Sequence, residues 1–476
     1  MRPKFILFLT LSLLSHFAHA SQTVHIVYSN DTAGEIEPCG CRKNPAGGYD
    51  RKAAFLKTLK GPIIQVDAGN LLFDSTTLAP LLKPQAIKRA EGVVELLNAL
   101  KHDAWVPGPK DFAAGIETFN QVLSHAHFKT LAANLTRSDK KSLSWSLKPI
   151  KIKRGSFQIE LLGIVDPALS WPSPLKVTSP ESVLRAFTAK KSDALKAVLF
   201  HGHLENAKKL AAQFPHLTLW FTGGEEAFLQ TPFTLEKSHL YQASFRNTYI
   251  GDVELDTRGN PTHHSLVELG EQWEGPPAIK EKIARIQKAI ADLTPETTPS
   301  SDASHDGTPL YQTFPRCADC HRSAFQFWRS TKHASALTPL TKDHALRRLE
   351  CVECHALPLD PKLGFHSLDE MAIYKDKALT IEALEKFLQK SRTPVEAQDS
   401  MASLERAWAP VQCEHCHGPG GDHPMGNTAL QKPTLKGCVK CHTPHRAPLW
   451  YGKDGKLNEP FVKKKFIAVS CPKEKQ

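Results

Sequence analysis

The feature that most constrains this chain is the pattern C-x-x-C-H. It occurs four times between residues 317 and 442: Cys317-Ala-Asp-Cys320-His321, Cys351-Val-Glu-Cys354-His355, Cys413-Glu-His-Cys416-His417 and Cys438-Val-Lys-Cys441-His442. Two thiols one helical turn apart add to the two vinyl groups on a porphyrin edge, and the adjacent imidazole then falls onto the iron. Each motif is therefore read as two thioether attachments plus a proximal iron ligand, His321, His355, His417 or His442. The expected cofactor is haem c, covalently bound, in four copies. At this chain's own cysteine and histidine frequencies, chance supplies roughly one hundredth of such a pattern per chain, so four in one region are not accidental. Zinc knuckles and disulfides also use paired cysteines, but neither requires a histidine after every second cysteine.

Haem of this kind is attached outside the cytoplasm, and the N-terminus fits export. Met1-Arg2-Pro3-Lys4 is followed by an apolar run from Phe5 to Leu14 and by Ala18-His19-Ala20 before Ser21, the charged, apolar and small-residue order of a secretory signal. Residues 1–20 are expected to be a signal peptide, with the protein periplasmic or secreted. The apolar run falls short of the roughly 20 residues a bilayer span needs, and no later stretch reaches that length. No integral membrane span is expected in the mature chain. Of the 11 cysteines, only Cys39, Cys41 and Cys471 lie outside the motifs. Cys39-Gly40-Cys41 leaves open a strained bridge, a soft-metal site or one pairing with Cys471, a structural disulfide being the plainest use.

Lys and Arg outnumber Asp and Glu by 60 to 49, a formal charge of +11. Four haems would bring two propionates each and cancel up to about eight of these charges, which leaves a mildly basic holoprotein. A secreted chain without a binding motif gives no ground for nucleic-acid recognition.

With 476 residues, 41% hydrophobic and 23% charged, the chain has globular composition and room for two or three cores. From residue 23 to about 270, short apolar runs alternate with amphipathic stretches. Strands are expected at 24–28, 62–66, 197–200 and 217–222, and helices at 50–59, 85–100 and 204–214. That order predicts an α/β domain over 23–275. A helix near 279–293 and a stretch at 294–309 rich in Pro, Ser, Thr and Asp form a helix-and-linker segment, 276–309. From 310 to 476 strand signals vanish, histidines and cysteines crowd together, and stretches such as 380–389 look helical. This part is expected to be mostly α-helical and organised by haem rather than by a large apolar core.

Bis-histidine haems need further histidines, and the region offers His333, His344, His366, His415, His423 and His445. His333, His366 and His423 are the favoured distal ligands, because each lies far enough from its nearest motif to reach a neighbouring haem. His415 sits between the cysteines of its own motif and is expected at the surface. His344 and His445 are left open.

The run from Cys320-His321 through Trp328-Arg-Ser330-Thr-Lys-His333-Ala334 is the first of three related stretches. The others are Cys413 through Gly418-Pro419-Gly420-Gly-Asp-His423, and Cys438 through His442-Thr443-Pro444. Together they resemble the tetrahaem cytochromes that accept electrons from hydroxylamine oxidoreductase in nitrifying bacteria. The resemblance covers about 310–466. It implies closely stacked haems, mostly bis-histidine, with His333 and His423 as distal ligands and one iron left five-coordinate.

The earlier domain has its own signature in the loops after its strands: Ser29-Asn30-Asp31-Thr32-Ala33-Gly34, Asp67-Ala68-Gly69-Asn70, Gly108-Pro109-Lys110-Asp111, Ala133-Asn134, His201-Gly202-His203 and Gly223-Gly224-Glu225-Glu226-Ala227. α/β folds place ligands at such loops. Taken in order, and followed by Tyr249 to Leu255, they resemble the 5'-nucleotidase branch of the calcineurin-like metallophosphoesterases over about 23–269. That family's loops read D-x-H, G-D, G-N-H, H and G-H-x-H and hold two metal ions. Here Ala33, Asn70, Pro109-Lys110, Glu225 and Ala227 stand at ligand positions, and only Asp31 and His201 remain. Two cations need an anionic bridge that Asn70 cannot offer. The expectation is a degenerate, metallophosphoesterase-like α/β sandwich without phosphohydrolase activity, in which Asp31, His201 and Glu225 are the one residual metal set to consider.

Three functions follow. The first is an electron carrier between redox partner proteins, with the N-terminal domain docking a partner. The second is a multihaem oxidoreductase whose open iron acts on a small nitrogen or sulfur compound; axial ligation separates it from the first. The third adds nucleotide or phosphate binding without cleavage at the N-terminal domain.

Overall fold

The structure, a computed structural model, describes residues 23–293 and 311–472 except 39–44, 140, 144, 146–147, 225–228, 342–344, 358–367, 369–370, 376, 390–403, 405, 427–429, 445 and 453–455. The expected signal peptide, the linker, Cys39, Cys41, Glu225, Ala227, His344, His366 and His445 lie outside the described residues.

Two six-stranded sheets form the N-terminal domain. In chain order the elements are β1 (Val24–Ser29), α1 (Tyr49–Thr58), β2 (Ile63–Asp67), α2 (Lys83–Ala99), β3 (Ala104–Trp105), α3 (Ile116–Leu123), β4 (Lys129–Thr130), β5 (Leu135–Arg137), β6 (Ile150–Arg154), β7 (Phe157–Val165), β8 (Leu175–Val177), α4 (Pro180–Ala189), β9 (Leu195–His201), α5 (Leu204–Gln213), β10 (Leu219–Gly223), β11 (Phe233–Leu235), β12 (Ser238–Tyr241), β13 (Tyr249–Leu255), β14 (Pro261–Glu268) and α6 (Pro277–Ala291). The first sheet runs β14-β13-β1-β2-β3-β4 and the second β11-β12-β10-β9-β7-β6. β1, β2, β3 and β4 are parallel, as are β7, β9, β10 and β12; β13 runs antiparallel between β1 and the edge strand β14, and β6 and β11 are antiparallel edges of the second sheet. The central strands are apolar on both faces because both are covered. Ile26, Ile64, Val66, Leu161, Leu199 and Phe221 fill the space between the sheets. Leu162, Val198, Phe200 and Trp220 face α4 and α5 on the other side of the second sheet. α1 and Trp273 cover Val27 and Ile250 on the outside of the first.

The expected strands and helices are all present, with ends moved by a residue or two. The hairpins β6/β7 and β13/β14 and the edge strands are not evident in the sequence: β7 and β13 are buried over most of their length and so lack a clean alternation, and the edge strands β11 and β6 are short, with most residues half-buried or exposed. The helix expected near 279–293 is α6, and it packs on α2 through Ile283, Ile286 and Ile290. Gly92 permits that crossing: a Cβ there would lie 2.4 Å from Ile286 Cγ2.

The C-terminal region carries α7 (Thr313–Cys320), α8 (Arg322–Arg329), α9 (Leu349–His355) and α10 (Ile381–Gln389), with short helices at Cys413–His417, Leu435–Cys438 and Glu459–Ala468. The region is mostly helical, as expected, with two features the sequence did not show. Strands do occur: β15 (Ala372–Tyr374) pairs with β16 (Lys377–Ala378) and β17 (Arg406–Ala407) in a small sheet. Two- and three-residue strands are too short to show alternation. The region also has an apolar core of its own, with Phe314, Leu337, Leu346, Met371, Leu384 and Trp408 buried together. These residues are scattered over 310–409 and never form a periodic run, which hid them.

Candidate haem site

Three of the four motifs lie within helices, where residues i and i+3 share a face. Cys317 and Cys320 close α7, with His321 at its C-cap. Cys351, Cys354 and His355 lie in α9, and Cys413, Cys416 and His417 in the helix Cys413–His417. In the fourth motif Cys438 ends a helix and the turn continues, His442 N donating to Cys438 O at 3.0 Å. All eight motif cysteines are unbridged, and Cys320 and Cys416 are exposed. Cysteines of different motifs also meet: the Cys317 thiol lies beside that of Cys413, and the Cys354 thiol beside that of Cys441, without a bridge. The first motif thus neighbours the third, and the second neighbours the fourth.

The histidines are paired across these groups. The rings of His321 and His423 lie 6.3 Å apart, centroid to centroid, and within 14° of parallel. Those of His333 and His442 are also 6.3 Å apart, at 56°. A metal held at about 2 Å by one nitrogen of each ring spreads two imidazoles by roughly that much, so both pairs fit an iron between them. His355 Nδ1 lies 2.5 Å from Ala336 O and His417 Nδ1 lies 3.2 Å from Gln431 O. With Nδ1–H donating to a carbonyl, Nε2 is left as the ligand atom, the arrangement by which proteins fix a ligating imidazole. Burial holds the His333, His355 and His442 rings below the usual histidine range, in the neutral form that iron needs. The His442 ring is also stacked on Trp450, 4.3 Å between centroids.

His415, expected at the surface, is a structural residue instead. Its Nδ1 accepts from Gln412 N at 3.0 Å and its Nε2 donates to Ala356 O at 3.0 Å, tying the third motif to the end of α9. Burial pushes this imidazole down to about 4. A further tie was not anticipated. Glu414, between the same two cysteines, accepts from Gln312 N at 2.9 Å, Thr313 N at 2.8 Å and Gly420 N at 2.7 Å. It caps the N-terminus of α7, where unsatisfied N–H groups and the helix dipole favour a carboxylate. The variable positions of one motif thereby orient the helix of another.

α9 is also docked onto the N-terminal domain. Buried Gln85 on α2 accepts from Leu349 N at 2.9 Å and donates to Arg347 O at 2.8 Å and Leu293 O at 3.0 Å. Arg348 reaches Glu37 at 2.6 Å, and Glu350 reaches Arg89 at 2.5 Å. Leu81 and Leu82, just before α2, pack against the C-terminal core. The second motif is thus held by side chains of the other domain.

At the carboxyl ends of β1 and β9, the structure brings together the two retained loop residues, Asp31 and His201, both buried. Asp31 Oδ1 accepts from Asn70 Nδ2 at 2.9 Å, and Oδ2 from Asn30 Nδ2 at 2.9 Å and Gly224 N at 2.7 Å. His201 Nδ1 lies 2.6 Å from Ala68 O, while Nε2 is buried without a hydrogen bond. A Cβ at Gly108 would come within 2.3 Å of both His201 Nε2 and Asn70 Oδ1. The Lys110 ammonium lies 5.7 Å from the Phe245 ring centroid. Both oxygens of Asp31 are satisfied by amides, and Asn70 turns hydrogens toward it where a bridging anion would be needed. These residues do not fit a pair of divalent cations.

Beneath them is a buried ionisable group: Asp67 accepts from Ser29 Oγ at 2.6 Å and from Gly69 N at 2.9 Å, and Lys52 Nζ lies 3.4 Å from the same Ser29 Oγ. Burial raises Asp67 to about 6 despite these bonds and lowers Lys52 to about 8 despite Asp67. Nearby Asp111, which accepts from Gly108 N and Leu72 N at 2.7 Å each, is raised by burial to about 7. Among the described residues, the one group of three or more side chains spaced to hold a metal ion lies elsewhere, at His25, Asp252 and Glu254. Sequence spacing gave no sign of it, since His25 and the two carboxylates are more than two hundred positions apart.

No helix among the described residues is long and apolar enough to cross a membrane. Compared with solved structures, the chain is similar to a 5'-nucleotidase precursor from Thermus thermophilus (20% identity, 57% of this chain and 59% of that one, TM-score 0.49) and to the NAD nucleotidase of Haemophilus influenzae (14%, 58% and 61%, TM-score 0.47). It therefore spans about three fifths of the length of each. A calcineurin-like phosphoesterase from Bacillus subtilis matches at 14% identity over 56% of this chain and 98% of that one, with TM-score 0.47. In sequence, residues 316–378 match the family model for cytochrome c554 and c-prime. The cytochrome c-554 of Nitrosomonas europaea is 25% identical over 191 residues, taking in 35% of this chain and 69% of that protein. The C-terminal region resembles the cytochrome c554 family.

Proposed function

We propose that this chain is a tetrahaem c-type cytochrome of the periplasm or cell exterior that passes electrons between redox partner proteins, and that its N-terminal domain serves as a non-hydrolytic platform. The observation that carries the proposal is the pair of facing imidazoles, His321 with His423 and His333 with His442. Each pair would hold one haem iron, His423 joining His321 at the first motif and His333 joining His442 at the fourth. His366 remains the candidate for a further distal position.

When bound, haem c supplies a reversible one-electron couple whose potential follows its axial ligands, hydrogen bonding and burial. The chain's own residues anchor and orient it. The cysteine pairs fix each porphyrin edge. The carbonyls of Ala336 and Gln431 hold the His355 and His417 rings by Nδ1. Glu414 and His415 lock the third motif to α7 and α9. In the N-terminal domain, Asp31 spends both its oxygens on amide and backbone donors, which supports a role in binding or positioning rather than in phosphate ester hydrolysis.

The mass and the visible and electron paramagnetic resonance spectra of the purified holoprotein test this together. Four covalent haems, with low-spin signals from at least two, are expected. Fewer than four haems would overturn the count. High-spin iron throughout would remove the ligand pairs, and turnover of nitrite or hydroxylamine at an open iron would favour the oxidoreductase. Turnover of a nucleotide would sink the non-hydrolytic reading. Stabilisation by a nucleotide without turnover would support the binding role.

A further inference from the structure

The first sheet carries a polar cluster on its outer face, far from the loops at Asp31. His25 lies near the start of β1, and Asp252 and Glu254 lie on β13, its antiparallel neighbour. Register pairs His25 with Glu254 and Val27 with Asp252. Alternation along the strands puts His25, Asp252 and Glu254 on one face. The same face carries Val27 and Ile250 nearer the other end of these strands, where α1 covers them. Asp31 follows the opposite end of β1, so the two places are separated by about 20 Å at roughly 3.3 Å per strand residue.

One ligand atom from each of His25, Asp252 and Glu254 lies within 4.8 Å of those of the other two. The His25 Nδ1 to Asp252 Oδ2 distance is 2.9 Å. A hydrogen-bonded His–Asp pair inside a sheet needs no metal, so proximity alone would carry little weight. The second observation is the other carboxylate oxygen. Asp252 is 3% exposed, and its Oδ1 is buried with no hydrogen-bond donor. A buried carboxylate with one bare oxygen is costly, because the lost hydration is not replaced. A cation would replace it.

We infer that His25, Asp252 and Glu254 form a zinc site that clasps β1 to β13. The ligand set is the reason for zinc: one imidazole with two carboxylates suits a borderline cation, whereas magnesium and calcium take oxygen ligands alone. Three protein ligands leave one tetrahedral position. His263, on β14 directly opposite Glu254 in the register, is exposed and stands on the same face. It is the residue placed to close the shell, and doing so would extend the clasp to β14, the edge strand of the sheet. Zinc would take one nitrogen of the neutral His25 imidazole, whose N–H stays on the other, and the two carboxylate charges would balance the ion. The zinc is structural here: it joins β1 and β14 through β13, the strand that runs antiparallel to both.

The test uses the full-length holoprotein, stripped of loosely held metal with a chelator, and titrated with zinc chloride by calorimetry and by elemental analysis after desalting. One equivalent of zinc per chain, in addition to the haem iron, is expected to survive desalting. Glu254→Gln, partly exposed and close in shape, should weaken it at least tenfold, and His263→Ala should weaken it several-fold, both with unchanged haem spectra. Hydrogen exchange should slow in peptides covering β13 and β14 when zinc is added, and not in the Glu254→Gln chain. His25→Ala should abolish uptake. Because that variant strands Asp252 and risks misfolding, the Glu254→Gln result decides. No retained zinc in the parent, or retention that Glu254→Gln leaves untouched, overturns the site. Equal retention of calcium or magnesium overturns the assignment to zinc.

Discussion

The two halves of this molecule hold themselves together by different means. In the N-terminal domain two sheets bury long apolar strands on both faces, and the core would exist without any ligand. In the C-terminal region the helices that bear the motifs are four to eight residues long. Such lengths do not persist by propensity alone, and their polar residues tie one motif to another through single carboxylates and imidazoles. A domain of short helices has less to lose before it opens.

The largest effect that follows is from withholding haem. Expressed without haem attachment, the chain should keep a protease-resistant fragment ending near residue 293, while the C-terminal region is cut at several points. Limited proteolysis with mass mapping decides, and equal resistance in both regions would break the contrast. Next in size is a ligand change. His423→Ala should convert one haem from low to high spin and open it to carbon monoxide, with the fold intact. His415→Ala should leave every spin state unchanged, yet destabilise the region by about 1–3 kcal/mol, because it leaves buried backbone groups unpaired.

Much of this was legible in the residues, and what was not has physical reasons. The central strands of the N-terminal domain read clearly because both faces are apolar, as in β1 and β9. The motifs mark the cysteines and the proposed proximal histidines because thioether attachment would fix their spacing. The proposed distal positions carry no such constraint: separation along the chain points to His423 and His333, and only the ring geometry sets them beside His321 and His442. Glu414 and His415 occupy the freely varying positions of a motif, so nothing in the pattern marks them as a helix cap and a tether. Gln85 reads as one polar residue on an amphipathic helix, and only the fold reveals that α9 sits against it.

A smaller effect tests the contact between the halves. Gln85→Ala removes the acceptor for Leu349 N and the donor to Arg347 O and Leu293 O. Leaving such buried groups unpaired costs about 1–3 kcal/mol. Denaturant unfolding should register that loss, and protease access to α9 should rise while the haem spectra of the other motifs stay constant. If the loss falls instead on α2 and α6, with α9 unaffected, the docking role is wrong. Glu414→Gln belongs to the same range: it keeps the shape but removes the charge that α7 favours at its N-terminus. Its effect should be confined to the first and third motifs.

The gentlest perturbation, pH, separates the two regions by mechanism, since the buried Asp67, Asp111 and Lys52 belong to the N-terminal domain. Asp67 and Asp111 ionise near 3.8 when exposed and at about 6 and 7 in the fold. Between those values the folded domain holds protons that the unfolded chain has released, so stability present below pH 4 is lost as pH rises through 6 and 7. Lys52 runs the other way. Its ordinary value is 10.5 and its folded value about 8; between them the unfolded chain holds the extra proton, and stability rises with pH. The domain should therefore be least stable between about pH 7 and 8, and gain stability on either side. Hydrogen exchange read in peptides from α1, β1 and β2 isolates this from whatever the haem propionates contribute. Asp111→Asn should flatten the acid limb alone and Lys52→Met the alkaline limb alone. A profile that both variants leave unchanged would show that these buried groups do not set the pH response, and that the polar floor beneath the Asp31 loop is energetically inert.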